Sequence, residues 1–266
     1  MHQSLIPLNE TVEIMEVDRQ VPQHPKWYFP LFETIFAATR DYGGDISLVN
    51  EVTPIAGQVV EEIGSGTGNH VWEILKYSPQ AVSAVDVDRE ATSLLHDRYH
   101  EFPNVSVVLG DGFSRSSKAD IIMVFFSLLQ QSATSDEMYS RLANLVRRTA
   151  ASNGTALIEF LDIKQYEEDF ADSTSKRIYN DGQNWLDIKT TYDPIFQIEY
   201  SGVVWNERAN YVVRFLPLDI TKVKAMSSQH KLESVVVDLQ DGERRRKLLI
   251  FSSSPRMHVK PFERNV

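Results

Sequence analysis

Residues 59–76 combine an acid, three glycines and a helix start in an order that can hold a charged ligand. Val59 and Val60 lead through Glu61, Glu62 and Ile63 into Gly64-Ser65-Gly66-Thr67-Gly68-Asn69-His70, and Val71 to Lys76 follows with helical spacing. The reading is strand, tight turn, helix. A glycine in such a turn either takes φ > 0 or lets a ligand approach backbone that a Cβ would shield. The helix that follows opens with unpaired N–H groups and the positive end of its dipole, which suits a carboxylate or phosphate. Glycine-rich turns between strand and helix are common, so the loop alone leaves a structural turn and a nucleotide-like site equally open. The spacing is G-x-G-x-G, not the G-x-G-x-x-G of dinucleotide loops, and Glu62 stands two residues before the first glycine.

Two later strands also end in acids. Ala81-Val82-Ser83-Ala84-Val85 runs into Asp86, where a Rossmann-type fold places the carboxylate that takes both ribose hydroxyls. An ionised carboxylate only accepts, so one side chain can hold two O–H donors. Val105 to Leu109 leads to Gly110-Asp111-Gly112-Phe113. The glycine loop with its preceding acid resembles motif I of class I S-adenosylmethionine-dependent methyltransferases, and the two later acids follow in that family's order. The resemblance implies that Gly64, Ser65, Gly66 and Gly68 cradle the methionine end of S-adenosylmethionine, with Glu62 near its amino group. It implies Asp86 and Val87 at the ribose, Asp111 and the Gly112 N–H at the adenine, and Phe126 and Ser127 at the end of the fourth strand.

Composition narrows the classes. The chain has 266 residues, 42% of them hydrophobic, enough for one large domain or one domain with an insertion. A formal net charge of −10 argues against a nucleic-acid partner, whose phosphates are bound by Lys and Arg. There is no cysteine, hence no disulfide framework and no thiolate metal site, and the seven histidines lack ligand spacing, so no metal is expected. No apolar run approaches the roughly 20 residues of a membrane span, and the N-terminal residues lack signal-peptide character. The expectation is a cytoplasmic protein with a small-molecule partner, no membrane or nucleic-acid partner, and compatibility with a homodimer.

Along the chain, residues 1–55 form an N-terminal arm and aromatic lid. Trp27-Tyr28-Phe29 through Phe36 has aromatics at helical spacing, which serve core packing or a lid equally well. Arg40 to Gly44 reads as a turn before a helix at 46–52. Residues 56–172 alternate strand and helix, including an apolar run from Ile121 to Leu129 read as a strand buried on both faces. A short helix is expected around Tyr166. Residues 173–217 switch to period two, with turns at Asp181-Gly182, Asp193-Pro194 and Asn206-Glu207, and read as an antiparallel insertion. Residues 218–254 return to the core sheet, and 255–266 are a loose tail. The fold class is α/β: a Rossmann-like, doubly wound, mostly parallel seven-stranded sheet with an antiparallel β insertion after strand 5.

The layout from Phe29 to Ser252 is similar to the amino-sugar N,N-dimethyltransferases of macrolide pathways, and in part to glycine-type N-methyltransferases. The likeness rests on Phe29-Pro30-Leu31-Phe32-Glu33, the glycine loop, Phe126-Ser127-Leu128-Leu129-Gln130-Gln131, Asn180-Asp181-Gly182, and Arg246 before the last strand. It implies secondary metabolism, a substrate pocket lined by Tyr28, Phe32, Phe36, Gln131, Glu159, Tyr179 and Arg246, and a catalytic role within it for Gln131, Tyr28 or Glu159. Two departures limit it. That family carries tyrosine where Phe32 and Phe36 stand and histidine where Gln131 stands, and neither a phenyl ring nor a carboxamide accepts a proton at neutral pH. A sugar-nucleotide substrate and base catalysis therefore do not carry over. The expected activity is methyl transfer from S-adenosylmethionine to nitrogen, less readily oxygen, of a small metabolite. The alternatives are cyclisation of S-adenosylmethionine with release of methylthioadenosine, and a binding partner without catalysis. His70 reads as a cap or packing residue, and Arg244-Arg245-Arg246 as an anion site or a solvated run.

Overall fold

The computed structural model of the chain describes residues 12–14, 24, 27–37, 40–163, 174–180, 182–192, 195–204, 207–241 and 244–253. The main sheet is built from β1 (Val12–Ile14), β2 (Val59–Ile63), β3 (Ala81–Asp86), β4 (Val105–Leu109), β5 (Ile121–Val124), β6 (Thr155–Leu161), β11 (Glu233–Asp241) and β12 (Arg244–Ser252). Its order is β1-β4-β3-β2-β5-β6-β12-β11. The seven expected strands are all present. The eighth is a correction: Val12–Ile14, read as part of an extended arm, pairs parallel with β4 at the sheet edge. β12 runs antiparallel to both β6 and β11. The order reverses between β3-β2 and β5, so the tips of β2, β3 and β5 open the crevice in which doubly wound sheets bind ligands.

Helices cover both faces. On one lie α2 (Tyr42–Val52), α3 (Asn69–Leu75) and α4 (Arg89–Tyr99). Ile46, Val49, Val71, Ile74 and Leu95 pack there on Val60, Val82 and Met123. On the other lie α5 (Ser135–Ser152) and α6 (Ile220–Gln229), whose Met138, Leu142, Leu145, Val146 and Val223 meet Ile122, Ile158 and Phe251. Each of these side chains, buried on both sides of the contact, contributes about 1.5–3 kcal/mol by leaving water. Asp88 caps α4 and Asp219 caps α6, each accepting from two N–H groups of the first turn.

Two local readings change. Gly43 and Gly44 do not form a turn before α2. Asp41 caps the helix by accepting from Gly44 N, so the glycines sit inside its first turn. The apolar run from Ile121 is strand only to Val124. Phe126 and Ser127 then take φ of 56° and 54°, and a 3₁₀ turn spans Leu128–Gln131.

The inserted segment forms its own sheet, order β10-β9-β8-β7, from β7 (Thr174–Asn180), β8 (Trp185–Tyr192), β9 (Phe196–Val204) and β10 (Glu207–Phe215), all antiparallel. Its core includes Leu186, Phe196, Tyr200, Val213 and Phe215, together with Trp27 and with Leu31 of α1 (Tyr28–Ala37). The aromatic segment thus serves as core, because its buried face belongs to the inserted sheet. Gly182 N donates to Asn180 Oδ1, while Asp181 between them lies outside the described residues. The helix expected near Tyr166, the Asp193-Pro194 turn and the tail from Pro255 lie outside the described residues.

Gly202 marks a tight spot in this sheet. A Cβ there would stand 2.1 Å from the Trp185 carbonyl oxygen and 3.0 Å from Leu186 Cα, both backbone atoms. Gly202→Ala therefore has to part β8 from β9, and we expect a loss of about 1–3 kcal/mol, read from denaturant unfolding.

Candidate functional site

The acidic pair at the end of β2 splits by strand alternation. Glu61 turns to the α5 side, paired with Arg148 and accepting from Ser117 Oγ. Glu62 turns to the α3 side, where its Oε1 lies 2.9 Å from His70 Nδ1. Its Oε2 is buried and has no hydrogen-bond partner. A buried carboxylate oxygen left open is costly, and a donor from outside the described residues can satisfy it.

The loop that follows is held from within. Gly64, Gly66 and Gly68 have φ of 74°, 54° and 87°, which glycine alone takes without strain. At Gly68 a Cβ would also stand 2.5 Å from the Tyr99 ring, whose hydroxyl donates to the Gly68 carbonyl. Ser65 Oγ donates to the Glu62 carbonyl and accepts from Val85 N, so this side chain clamps β2 to β3. Gly66 N donates to Asp86 Oδ2, and Asp88 N to Asp86 Oδ1. Burial holds the Asp86 carboxyl above the usual carboxylate range despite these two bonds. Val87, partly buried, lies between the two aspartates. Asp111 caps the 3₁₀ turn at Gly112–Ser114 and is partly open. Gly112 is packed so closely on Ile63 that a Cβ would come within 2.7 Å.

Beneath the loop lies a buried ion cluster. Asp45 Oδ2 is 2.8 Å from Arg40 Nε and 3.3 Å from His70 Nε2. Glu159 Oε2 is 2.6 Å from Arg40 and 3.3 Å from Arg246, and Arg246 reaches Asp45 at 3.4 Å. Glu159 Oε2 also accepts from Phe126 N at 3.3 Å, and the Arg40 guanidinium lies 3.9 Å from the Phe126 ring centroid. These contacts fix the backbone turn at Phe126 and Ser127, a strained pair of the kind found at functional sites. Burial pushes Glu159 and Asp45 upward, but their cationic partners outweigh it and hold both below the usual range. For His70, burial disfavours the cation, and hydrogen bonds to Asp45 and Glu62 outweigh burial, raising the imidazole above its ordinary value.

The substrate-side expectations fare unequally. Tyr28 and Phe32 face one another at 4.7 Å in the lid, and Phe32 meets Phe126 at 5.9 Å. Burial, then Tyr200, Tyr211 and Asp86, raise Tyr28 well above an ordinary phenol, so it presents a neutral hydroxyl and an aromatic face. Phe36 and Tyr179 belong to α1 and β7, but their side chains lie outside the described residues. Gln131 turns back and donates to the Phe126 carbonyl at 2.9 Å, which makes it a brace for the strained turn. Glu159 and Arg246 are brought together in the ion cluster, not in an open pocket. Within the arginine run, the Arg246 side chain is neither solvated nor open to an anion, since it is buried in ion pairs, and the side chains of Arg244 and Arg245 lie outside the described residues.

Sequence reasoning missed Arg40, Asp45, Tyr200 and Tyr211, and read His70 as packing. His70 had a signal: four residues after Gly66 on the first helical turn, it faces the strand-end acid. Arg40 and Asp45 had none, because they meet Glu159 only through the fold. The lid is tied down by Glu33 to Arg98 at 2.9 Å, while Arg98 also donates to the Thr67 carbonyl, and His24 N donates to Asp88 at 2.8 Å. The Phe29 ring lies 3.8 Å from a Cβ built on Gly66. Among the described residues no group of His, Asp and Glu could hold a metal, and no helix is long and apolar enough to cross a membrane.

This architecture is that of Rossmann-like methyltransferases. An S-adenosylmethionine-dependent methyltransferase from Clostridium acetobutylicum superposes with a TM-score of 0.69 at 12% identity, over 85% of this chain and 97% of that one. The amino pentose methyltransferase CalS10 of Micromonospora echinaspora, solved with S-adenosylmethionine, gives 0.62 at 16%, over 87% and 100%. The sugar N-methyltransferase KedS8 of Streptoalloteichus gives 0.63 at 13%, over 90% and 96%. No protein-family model and no curated protein matches the sequence.

Glu159→Gln leaves two buried guanidinium groups facing one carboxylate, and we expect it to cost about 3–5 kcal/mol at pH 7 by denaturant unfolding. The Glu159 value is depressed on folding, so its contribution is whole above the ordinary value of 4.5 and is lost as pH falls through the lower folded-state value. The gap between wild type and variant should therefore close in acid.

Proposed function

We propose that this chain is an enzyme that transfers a methyl group from S-adenosylmethionine to a nitrogen of a small molecule held beneath the aromatic lid. The observation that carries the reading is the open, buried oxygen of Glu62 beside a loop of three left-handed glycines. Glu62 would hold the amino group, Asp86 the ribose hydroxyls, and Asp111 with Gly112 the adenine edge. Bound there, S-adenosylmethionine supplies a methyl group on an electrophilic sulfonium.

The chain's own part is placement and exclusion. None of the three residues expected to act there is poised as a base: Tyr28 is held as a phenol, Glu159 is bound by two arginines, and Gln131 is a carboxamide braced on Phe126. None is needed if the acceptor enters as a neutral amine. Burial disfavours an ammonium, so an apolar pocket selects the nucleophilic form by itself. The gap between α1 and the inserted sheet is apolar, lined by Trp27, Tyr28, Phe32, Ile178, Leu186 and Tyr200, but at about 10 Å³ it holds no more than a water, so an acceptor enters only as α1 and the sheet part. Aromatic faces there would stabilise the charge that develops on the product, and orientation supplies much of the rate. Arg246 is neutralised by Asp45 and Glu159, which disfavours a phosphate-bearing acceptor of the sugar-nucleotide kind.

The absence of a poised base among these residues also supports a second reading, in which the methionine amine attacks its own γ-carbon and methylthioadenosine leaves. One experiment separates the two. Methyl-labelled S-adenosylmethionine is incubated with the protein, with and without a panel of uncharged primary and secondary amines. Methyl transfer predicts label on an amine and S-adenosylhomocysteine only when the amine is present. Methylthioadenosine formed without any acceptor would replace the first reading by the second, and no product in either case would remove both.

A further inference from the structure

Glu62 and Asp45 hold His70 from its two ring nitrogens, and Glu62 still has one oxygen open. The charges of the cluster can be counted. Glu62, Asp45 and Glu159 are three carboxylates, and Arg40, Arg246 and an imidazolium at His70 are three cations. With His70 protonated the cluster is neutral, which is the state burial favours. The groups facing His70 are Glu62 from β2, Asp45 and Tyr42 from α2, with Tyr42 packed edge-on at 4.9 Å, and Arg40, whose charge opposes the imidazolium. Phe125 and Phe126 close the remaining side at 4.4 and 5.8 Å.

An ammonium arriving at Glu62 Oε2 brings one positive charge into this neutral cluster. Loss of one proton restores neutrality, and the geometry says from where. The guanidinium groups cannot give one up. His70 can, and its two contacts differ. Nδ1–H to Glu62 Oε1 is the shorter at 2.9 Å, while Nε2 lies 3.3 Å from Asp45, a carboxylate that keeps Arg40 and Arg246 as partners.

We propose that His70 is the positioning residue for the amino group of the ligand: held as an imidazolium between Glu62 and Asp45 in the free protein, it releases its Nε2 proton to solvent when an ammonium docks on Glu62. The Nδ1–H remains on Glu62 and keeps that carboxylate aimed. The upward shift of the imidazole in the free protein agrees with the starting state. This inference rests on the cofactor reading above.

The test is calorimetric titration with S-adenosylhomocysteine at pH 6.5, below the usual range of α-amino groups, in buffers of differing ionisation enthalpy. The slope of heat against buffer enthalpy counts protons. Wild type should release up to about one proton per ligand, and His70→Gln none, with weaker binding. Zero release or net uptake by wild type overturns the proposal, as does an unchanged count in His70→Gln. A spectrum of ¹³C-histidine wild type needs no variant: one imidazole should move from the cationic to the neutral shift on ligand addition, and seven unmoved histidines would contradict the proposal. Absence of heat in every buffer would instead remove the cofactor reading, and this inference with it.

Discussion

The site depends on one buried constraint: Asp45 and Glu159 are shared between two arginines inside the protein. Burying ions this deeply is worthwhile only if each has partners, and a buried pair gives little stability over an apolar filling. What it gives here is position. Arg40 precedes α2, Asp45 lies in its first turn, Glu159 is on β6 and Arg246 on β12, so the cluster pins three separated stretches of chain to one point. From that point two arms extend. One runs through His70 to Glu62 and the glycine loop. The other runs through the Phe126 N–H and ring to the strained turn and the lid.

Helix α1 connects the two halves of the molecule in a particular way. Its apolar face is part of the inserted sheet's core, through Leu31 beside Trp27, Leu186 and Phe196. Its polar contacts go to the other half, from Glu33 to Arg98 on α4. Oily burial therefore fixes α1 to the inserted sheet, and a partly exposed ion pair, beside the Phe32–Phe126 ring contact, ties it to the other half. Such surface pairs are weak, typically below about 1 kcal/mol, so the contact with the inserted sheet is the firmer of the two.

The fold was largely legible, because its signals are local. Strand-end acids, a glycine turn and the switch to period two gave the sheet, the insertion and the glycine-loop crevice. The misreadings share a physical cause. Ile121 to Leu129 reads as one strand because apolarity does not reveal that Phe126 and Ser127 adopt φ > 0. Arg246 and Glu159 read as pocket residues because charge in a sequence suggests solvent or ligand, and only the fold reveals that they meet. Asp45 sits near two glycines that read as a turn, and Arg40 has no pattern at all. Val12–Ile14 was too short to distinguish an edge strand from an arm.

The central claim is that Glu62 receives the amino group of a sulfonium cofactor whose nucleoside part is held elsewhere in the crevice. The direct measurement compares binding of S-adenosylhomocysteine with that of methylthioadenosine, which lacks the amino acid portion. Wild type should bind the former more tightly, by at least tenfold or about 1.4 kcal/mol, and Glu62→Gln should erase most of that difference while leaving methylthioadenosine binding unchanged. Equal affinities in the wild type, or an undiminished preference in the variant, would contradict the account.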